Sequence, residues 1–191
     1  MPGIPAPLLL IGWLATATAP APPARQAGAC RAGESAVVVD TTAHRLYLCA
    51  GGAAERSFPV ALGVNGVDKR RTGDNRTPLG IYALGTPRVS ASFHRFVPVA
   101  YPTPAQARAG LTGSAIGIHG PPRGLEGAAR LQALVATDWT AGCIAVATDD
   151  DIEAIVRWVD QRGVRIVRLS GAPGESSRAR DLPRQPAEKP P

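Results

Sequence analysis

Glycine and proline interrupt this chain so often that most of its regular elements must be short. The 191 residues include 21 Gly and 19 Pro; glycine favours turns, and proline removes a backbone donor from helices and sheets. Between these residues lie apolar runs typical of β-strands, among them AVVVD, HRLYLC, RSFPVALG, SAIGIHG and VRIVRL. The pattern predicts a mainly β protein, and the length suits one packed domain rather than two.

The first two apolar runs predict a β-hairpin that opens a β-meander. In HRLYLC, apolar and polar residues alternate. With a period of two residues, Leu46 and Leu48 are expected to face the core, whereas Arg45 and Tyr47 are expected to face the solvent. RSFPVALG then continues the meander as a third strand at residues 56–63.

Two helices are predicted in the last third of the chain. GLEGAARLQALVA, residues 124–136, precedes the strand that contains the last cysteine. The second helix begins after Thr148, with Asp151 three residues on in a capping-box arrangement, and it ends at Gly163. Apolar residues recur at helical spacing and predict a buried face of Ile152, Ile155, Val156 and Val159.

Composition divides the chain into four segments. Residues 1–24 carry no charge, and their apolar run LLLIGWL is shorter than the roughly 20 residues that cross a membrane. This segment resembles a signal peptide, so we expect export to the periplasm or cell envelope and no stable membrane span after processing. The alternative is an apolar N-terminus of a cytosolic protein. Residues 25–34 are predicted to form a linker, residues 35–170 the folded domain, and residues 171–191 a disordered Pro-rich tail.

Charge narrows the class of partner. The formal net charge is +6 and the pI about 9.9, which suits attraction to an anionic envelope polymer. The basic residues are scattered, however, and no aromatic residues are interleaved with them as in single-strand nucleic-acid binders. We therefore expect no nucleic-acid partner, and we expect no cofactor.

The chain has an odd number of cysteines, which are Cys30, Cys49 and Cys143. In an exported protein, at least one of them has no intramolecular partner. The predicted hairpin would bring Cys30 and Cys49 close enough for a disulfide, which would stabilise the fold by roughly 3 kcal/mol in the loop-entropy model. Sequence does not give the Cβ geometry, so the pairing is a hypothesis; it would leave Cys143 as the lone thiol.

Cys143 is either a small buried apolar residue or a nucleophile. Gly142 before it would let a substrate carbonyl approach and let backbone N–H groups point at an oxyanion. A thiol nucleophile needs a base, and His119 at the end of SAIGIHG is the best candidate. His44 reads as solvated, and His94 is either structural or directed at the substrate. A metal site is not predicted, because no third and fourth ligand follow at recognisable spacing.

Several motifs together resemble the L,D-transpeptidase catalytic domain (YkuD-like) family. IHGPP followed by TAGC, with His119 and Cys143 24 positions apart, is similar to the family's His-Gly and Ser/Thr-x-Gly-Cys signature, and RTPLGIY is similar to its TPxG segment. A murein L,D-transpeptidase-related subset is closer still. Its DK, GD, FH, YP and DWTxGCIAV elements are matched by Asp68-Lys69, Gly73-Asp74, Phe93-His94, Tyr101-Pro102 and DWTAGCIAV.

The resemblance implies a role for each residue of the signature. Cys143 becomes the nucleophile and His119 the base, and the backbone carbonyl of Gly120 would orient the imidazole. The oxyanion hole would be formed by the backbone N–H groups of Gly142, Ala141 and Cys143. The implied architecture is an L,D-transpeptidase-type β-sandwich with mixed strands and one or two short helices.

Substrate contacts are less well defined by the resemblance. Many family members have an arginine where this chain has Ala145, and such an arginine could contact a substrate carboxylate. Arg123, Lys69 or Arg70 are the candidates to replace it. Thr140 fills the Ser/Thr position of the signature, either as a structural hydroxyl or as a substrate contact. The predicted substrate-binding residues are Thr140, His94, Lys69 and Arg123.

The implied function is that of a peptidoglycan-modifying cysteine L,D-transpeptidase that acts on stem peptides through a thioester acyl-enzyme. A cysteine suits this chemistry if its thiolate is available near neutral pH. The acceptor would be an amine of another stem peptide or of a wall-anchored protein. Two alternatives stay open: an L,D-specific murein hydrolase that releases wall-linked peptides or proteins, and a non-catalytic peptidoglycan-binding module.

Overall fold

The computed structural model describes residues 29–124, 127 and 135–171. This part of the chain forms nine β-strands and two α-helices. The strands are β1 (Ala36–Asp40), β2 (Arg45–Ala50), β3 (Ala53–Ala61), β4 (Gly80–Ala83), β5 (Arg88–Ser90), β6 (His94–Pro98), β7 (Gly117–His119), β8 (Ile144–Val146) and β9 (Ile166–Ser170). The helices are α1 (Pro104–Arg108) and α2 (Asp149–Arg162).

All nine strands belong to one curled sheet with the order β4-β9-β1-β2-β3-β8-β7-β6-β5. Two neighbouring pairs, β1 with β9 and β7 with β8, are parallel, and the others are antiparallel. One core cluster draws side chains from both halves of the sheet and from α2, so the sheet curls around it; members include Val37, Leu46, Val97, Ile118, Ile144 and Ile155. The predicted mainly β fold with mixed strands and short helices is confirmed.

The opening hairpin forms where the sequence predicts it. Asp40 at the end of β1 accepts hydrogen bonds from the backbone N–H groups of Thr42 and Ala43, at 3.0 and 2.9 Å, which closes an Asx-type turn. In β2, Leu46 and Leu48 are fully buried, as the alternation predicts. The turn therefore sets the register that directs these two leucines into the core.

The outward orientation predicted for Tyr47 is wrong, because the second face of the hairpin is also covered. Tyr47 is only 6% exposed and lies with Ala36, Val38 and Cys49 in a second apolar cluster. Ala29 and Cys30 pack against this cluster from the segment before β1. A period-two pattern predicts one buried face, and it cannot predict a cover that comes from outside the strand pair.

The covering segment is fastened at two points. A disulfide joins Cys30 to Cys49 in β2, with an S–S distance of 2.02 Å. The guanidinium of Arg168 in β9 donates to Glu34 at 2.7 Å and to the carbonyl of Ala29, also at 2.7 Å. The Arg168 hydrogen bond lowers the pKa of Glu34, so this carboxyl stays ionised and holds the segment against the sheet.

Helix α2 has the capping predicted for it. The Thr148 hydroxyl accepts from the backbone N–H of Asp151 at 3.1 Å, and the Asp151 carboxylate accepts from the backbone N–H of Thr148 at 3.2 Å. Gly163, with φ of 62°, ends the helix in the left-handed conformation. The predicted apolar face is buried, and it comprises Ile152, Ile155, Val156 and Val159.

Some predictions fall outside the described residues. These are the leader, the first four residues of the linker, most of the helix predicted for residues 124–136, and the tail apart from its first residue. Among the residues that are described, no helix is both long enough and apolar enough to span a membrane.

The disulfide predicts a measurable stabilisation, because it closes a loop with a sequence separation of 19. In a Cys143→Ala background, we expect reduction of the Cys30–Cys49 bond to lower the free energy of unfolding by about 3 kcal/mol. Urea unfolding of the oxidised and reduced forms of the same protein measures the difference. A Cys30→Ala, Cys49→Ala double variant should be insensitive to reductant, and a difference under about 1 kcal/mol between oxidised and reduced forms would contradict the prediction.

Candidate active site

The pairing of β7 with β8 brings the two halves of the signature together. The strands are parallel, with His119 opposite Ala145 and Ile118 opposite Ile144. Cys143 directly precedes β8 and lies two residues before Ala145. Because side chains alternate between faces along a strand, Cys143 and His119 lie on the same face of the sheet. Residues far apart in the sequence thus become neighbours in one site.

The His119 side chain is only 1% exposed and is held in one orientation. Its Nδ1 lies 2.7 Å from the carbonyl oxygen of Gly120. A carbonyl can only accept, so Nδ1 carries the proton and Nε2 is the free basic atom of the neutral ring. This is the contact that the family resemblance implies for Gly120. It assigns the imidazole the tautomer that a general base requires.

Two aromatic rings fix the plane of the imidazole, and sequence reasoning singled out neither. Phe93 stacks on His119 with ring centroids 4.0 Å apart, and Trp139 meets it edge-on at 5.9 Å. The indole Nε1 of Trp139 is buried without a hydrogen-bond partner among the described residues. Both residues belong to motifs of the closer subset, FH and DWTAGC. Membership of these motifs was the only feature of the sequence that could have identified them.

The Cys143 thiol is directed by a strained backbone. Its Sγ donates to the carbonyl oxygen of Ala115 at 3.4 Å. Ala115 has φ of 58°, in the left-handed region that non-glycine residues rarely adopt. Such strain persists only where the surrounding structure enforces it, and it is concentrated at functional sites. The strand β7 begins two residues later, so the same segment positions both Cys143 and His119.

The turn before Cys143 is closed by Thr140. The Thr140 hydroxyl donates to the carbonyl of Cys143 at 2.7 Å and accepts from the backbone N–H of Gly142 at 3.1 Å. Thr140 is 3% exposed. Of its two predicted roles, the structure supports the structural hydroxyl rather than the substrate contact. The same bond occupies the Gly142 amide, and the amides of Ala141 and Cys143 stay as predicted oxyanion donors.

Burial moves the pKa values of His119 and Cys143 in opposite directions. It lowers the pKa of His119, although the bond to Gly120 raises it in part. It raises the pKa of the Cys143 thiol, although a backbone hydrogen bond from Gly117 and the charge of Lys69 lower it in part. Burial therefore favours the uncharged form of each group in the resting site. That the thiolate is available near neutral pH stays a prediction.

His94 and Arg123 meet beside the first turn of α2. Arg123 Nη2 lies 3.2 Å from His94 Nδ1, and His94 Nε2 lies 2.9 Å from Glu153 Oε1. Donation from Nε2 to the carboxylate leaves Nδ1 to accept from the guanidinium. A Cβ on Gly120 would lie 3.0 Å from the carbonyl oxygen of Phe93. These two predicted substrate contacts therefore lie together, close to the His119 side of the site.

Lys69, a further predicted substrate contact, is buried and bonded within its own loop. Its side chain is 4% exposed, and its ammonium donates to the Asp74 carboxylate at 2.7 Å and to the carbonyl of Arg71 at 3.2 Å. These bonds favour a structural role. Ala145, at the position where many family members have arginine, is 1% exposed within β8 and contributes no charge.

No group of three or more His, Cys, Asp or Glu side chains in the described part of the chain is arranged to hold a metal ion. The chemistry that the described residues can support is that of a thiol beside a neutral imidazole. Such a pair suits nucleophilic attack on a carbonyl.

The fold and this site define a family. A family model described as the L,D-transpeptidase catalytic domain matches residues 34–169, and the chain belongs to that family. Among solved structures, it is similar to the helical cell shape determining protein Pgp2 from Campylobacter jejuni. Superposition on the K307A mutant gives a TM-score of 0.58 at 22% identity, covering 75% of this chain and 49% of that one.

The structure of Pgp2 without that mutation gives a TM-score of 0.56 at 23% identity, covering 72% of this chain and 47% of the other. This chain therefore spans about half the length of the Pgp2 chains. At these identities the likeness concerns the fold. Among curated protein sequences, none matches this chain significantly.

The neutral resting pair predicts slow alkylation of Cys143. We expect the rate of reaction with iodoacetamide to rise with pH around a midpoint above that of the same chain in urea, because burial raises the pKa of the Cys143 thiol. Cys30 and Cys49 stay in their disulfide and do not react. Mass spectrometry of the quenched protein measures the rate, and a midpoint below that of the unfolded chain would show a preformed thiolate instead.

Gly142 should tolerate no side chain. Its φ is 121°, and a Cβ there would lie 2.5 Å from the carbonyl oxygen of Arg76. Gly110 is a matched control, because its φ is 87° and a Cβ there would meet nothing within 4 Å. We expect Gly110→Ala to cost about 1 kcal/mol of unfolding free energy, and Gly142→Ala to cost at least about 1 kcal/mol more. Equal unfolding midpoints for the two variants would contradict this account of the turn.

Proposed function

We propose that this protein is a peptidoglycan-modifying cysteine L,D-transpeptidase, with Cys143 as nucleophile and His119 as base. The observation that carries the proposal is the hydrogen bond from His119 to Gly120 on the strand paired with β8. The Gly120 carbonyl holds the proton on Nδ1 of a neutral imidazole, which leaves Nε2 basic on the face that Cys143 shares.

The first half-reaction transfers one proton and exchanges one bond. The substrate is a stem peptide, and the attacked carbonyl joins an L-centre to a D-residue. As Sγ of Cys143 bonds to the carbonyl carbon, its proton passes to Nε2 of His119. The backbone N–H groups of Ala141 and Cys143 are the proposed donors to the oxyanion. Collapse breaks the C–N bond, and the imidazolium returns the proton to the departing amine.

Burial of both groups suits this sequence of steps. A thiol with a raised pKa does not ionise until the substrate is in place, and the thiolate that then forms is strongly nucleophilic. A base with a lowered pKa stays neutral at mildly acidic pH. Charge separation between Sγ and Nε2 thus coincides with attack, when the oxyanion donors offset it. The resting enzyme is protected from side reactions such as oxidation, which favour an exposed thiolate.

The second half-reaction depends on the group that attacks the thioester. An amine of another stem peptide, or of a wall-anchored protein, gives transpeptidation and regenerates the thiol. Water gives hydrolysis, and the protein then acts as an L,D-specific murein hydrolase. The same Nε2 of His119 would take the proton from either acceptor.

An extracytoplasmic location and a role in the cell wall complete the proposal. The Cys30–Cys49 disulfide supports an oxidising compartment such as the periplasm. The covering segment that it fastens includes Ala29, Cys30 and Glu34 and follows the signal-peptide-like leader, within the residues predicted as a linker. Pgp2, which shares the fold, is described as determining helical cell shape. We extend to this chain a related role in cell wall organisation, because both would act on the same polymer.

The test uses the purified protein, disaccharide-tetrapeptide muropeptides and an amine acceptor, with products followed by mass spectrometry. We expect a thioester adduct on Cys143 and products crosslinked or exchanged with the amine. Cys143→Ala should fold with an unchanged melting temperature within a few degrees and form neither. His119→Gln should keep the thiol but lose at least about 100-fold in rate, as expected for removal of a general base.

Each outcome has a distinct reading. Shortened muropeptides alone, with or without the amine, would replace the transpeptidase with the hydrolase. Turnover that persists in Cys143→Ala would exclude the proposed mechanism. The absence of any cysteine-dependent adduct or product would favour a peptidoglycan-binding module, for which retention of muropeptide by Cys143→Ala gives a direct measurement.

A further inference from the structure

The turn between β5 and β6 lies against the imidazole of His119. We define the β5–β6 turn as residues 91–94, ASFH. The ring of Phe93 in this turn stacks on His119 with centroids 4.0 Å apart. The carbonyl oxygen of Phe93 lies against Gly120, where a Cβ would approach it to 3.0 Å. Phe93 thus contacts both the imidazole and the residue whose carbonyl accepts from Nδ1 of that imidazole.

The backbone of the β5–β6 turn is strained at His94. Its φ is 62°, in the left-handed region that non-glycine residues rarely adopt. Two local hydrogen bonds close the turn around Phe93: its backbone N–H donates to the Ser90 hydroxyl at 3.2 Å, and its carbonyl accepts from the backbone N–H of Arg95 at 2.7 Å. A strained conformation persists only where the surrounding structure enforces it, so contacts from outside the turn are required.

The side chain of His94 supplies such contacts on both of its ring nitrogens. Nε2 lies 2.9 Å from Glu153 Oε1 on α2, and Nδ1 lies 3.2 Å from Arg123 Nη2. Arg123 also donates its backbone N–H to the carbonyl of Ser92 in the turn, at 2.8 Å. His94 therefore fastens the turn to α2 and to the segment that follows β7. Because both ring nitrogens are engaged within the protein, neither is left for a substrate.

Gly120 is enclosed between the β5–β6 turn and α2. A Cβ on Gly120 would lie 3.0 Å from Phe93 O on the side of the turn, 3.0 Å from Ile152 Cγ2 and 3.3 Å from Asp149 Oδ1 on the side of α2. The packing leaves no room for a side chain, so the two elements together hold the Gly120 backbone in place. Separation of the turn from α2 would release the Gly120 carbonyl and the Phe93 ring at the same time.

We propose that His94 is a positioning residue: it fastens the β5–β6 turn to α2, so that Phe93 and Gly120 hold the His119 imidazole with its proton on Nδ1. This role replaces the substrate contact predicted for His94. An imidazole that loses its acceptor can take either neutral tautomer, and only one of the two leaves Nε2 free to accept the thiol proton. The effect on turnover rests on the proposed function, whereas the tautomer of His119 can be measured without any substrate.

The first test measures the tautomer by side-chain nitrogen NMR of the Cys143→Ala protein at mildly alkaline pH, where imidazoles are neutral. His119→Gln identifies the His119 signals among those of the three histidines. We expect Nδ1 of His119 to carry the proton in Cys143→Ala. In the same background His94→Gly, which keeps the left-handed backbone without strain, should lower the fraction protonated at Nδ1 at least about 2-fold. Glu153→Leu should have the same effect, whereas Glu153→Gln, which keeps an oxygen acceptor, should not.

Asp68→Gly provides the matched control. Asp68 also has a left-handed backbone, with φ of 68°, and its side chain pairs with Arg70 at 2.8 Å, but it lies outside the β5–β6 turn. The variant should leave the tautomer of His119 unchanged. An equal loss in Asp68→Gly, or an unchanged tautomer in His94→Gly, would overturn the inference whatever the turnover.

The second test separates positioning from substrate contact by steady-state kinetics on muropeptides, with Cys143 intact. We expect His94→Gly to lower kcat at least about 10-fold and to leave KM within about 2-fold, because the side chain acts through the base and not on the bound substrate. A raised KM with unchanged kcat would show a substrate contact and overturn the inference. A tautomer that depends on His94, in a protein without cysteine-dependent turnover, would support the positioning role and overturn only the proposed function.

Discussion

The parallel pairing of β7 with β8 is the constraint on which the site depends. β8 is hydrogen-bonded between β3 and β7, so the strand that follows the nucleophile is held on both sides. Side chains alternate along a strand, and a slip of one residue would move Cys143 to the face opposite His119. Buried Ile118 and Ile144, opposite each other in this pair, oppose such a slip, because it would remove one of them from the core cluster to which both belong. Packing on one face thus fixes the catalytic register on the other.

Two polar clusters flank the paired groups and differ in charge. Near the His119 side, Glu153 and Asp149 at the start of α2 lie within 4 Å of His94 and also of Arg95 and Arg123, respectively, so this cluster combines both signs of charge. Near the Cys143 side, the loop of residues 66–76 contains one lysine, three arginines and two aspartates, so its net charge is positive. A stem peptide, the substrate proposed above, has both amine and carboxylate groups that clusters of different charge can distinguish. Polarity of this kind selects a direction of binding, which a single charged patch cannot do.

Local signals were enough to predict some elements but not the partners of individual side chains. The hairpin and the caps of α2 depend on neighbours within a few residues, and the structure has them as expected. Tyr47 is buried by a segment that a disulfide fastens, and strand alternation could not predict this cover. Lys69 is buried by a loop that closes around Asp74, and motif matching could not predict that contact. Phe93 and Trp139 reach His119 only once β6 and β8 join β7. Motifs therefore identified the chemistry, and long-range packing decided its geometry.

Backbone strain supports the view that the surroundings of the site serve function. In the described part of the chain, five non-glycine residues have positive φ, and they are His44, Asp68, Asn75, His94 and Ala115. Glycine would adopt these conformations without strain, so the surrounding structure must enforce them at residues that carry a side chain. Three of the five bond through their side chains: His44 to Asp138, Asp68 to Arg70 and His94 to Glu153. Ala115 has no such side-chain bond, and there the strained backbone directs its carbonyl at the Cys143 thiol. The strained residues thus contact or belong to the catalytic motif, the segment of residues 66–76 or the cluster beside α2. The cost of about 1–3 kcal/mol apiece is therefore concentrated around the candidate active site.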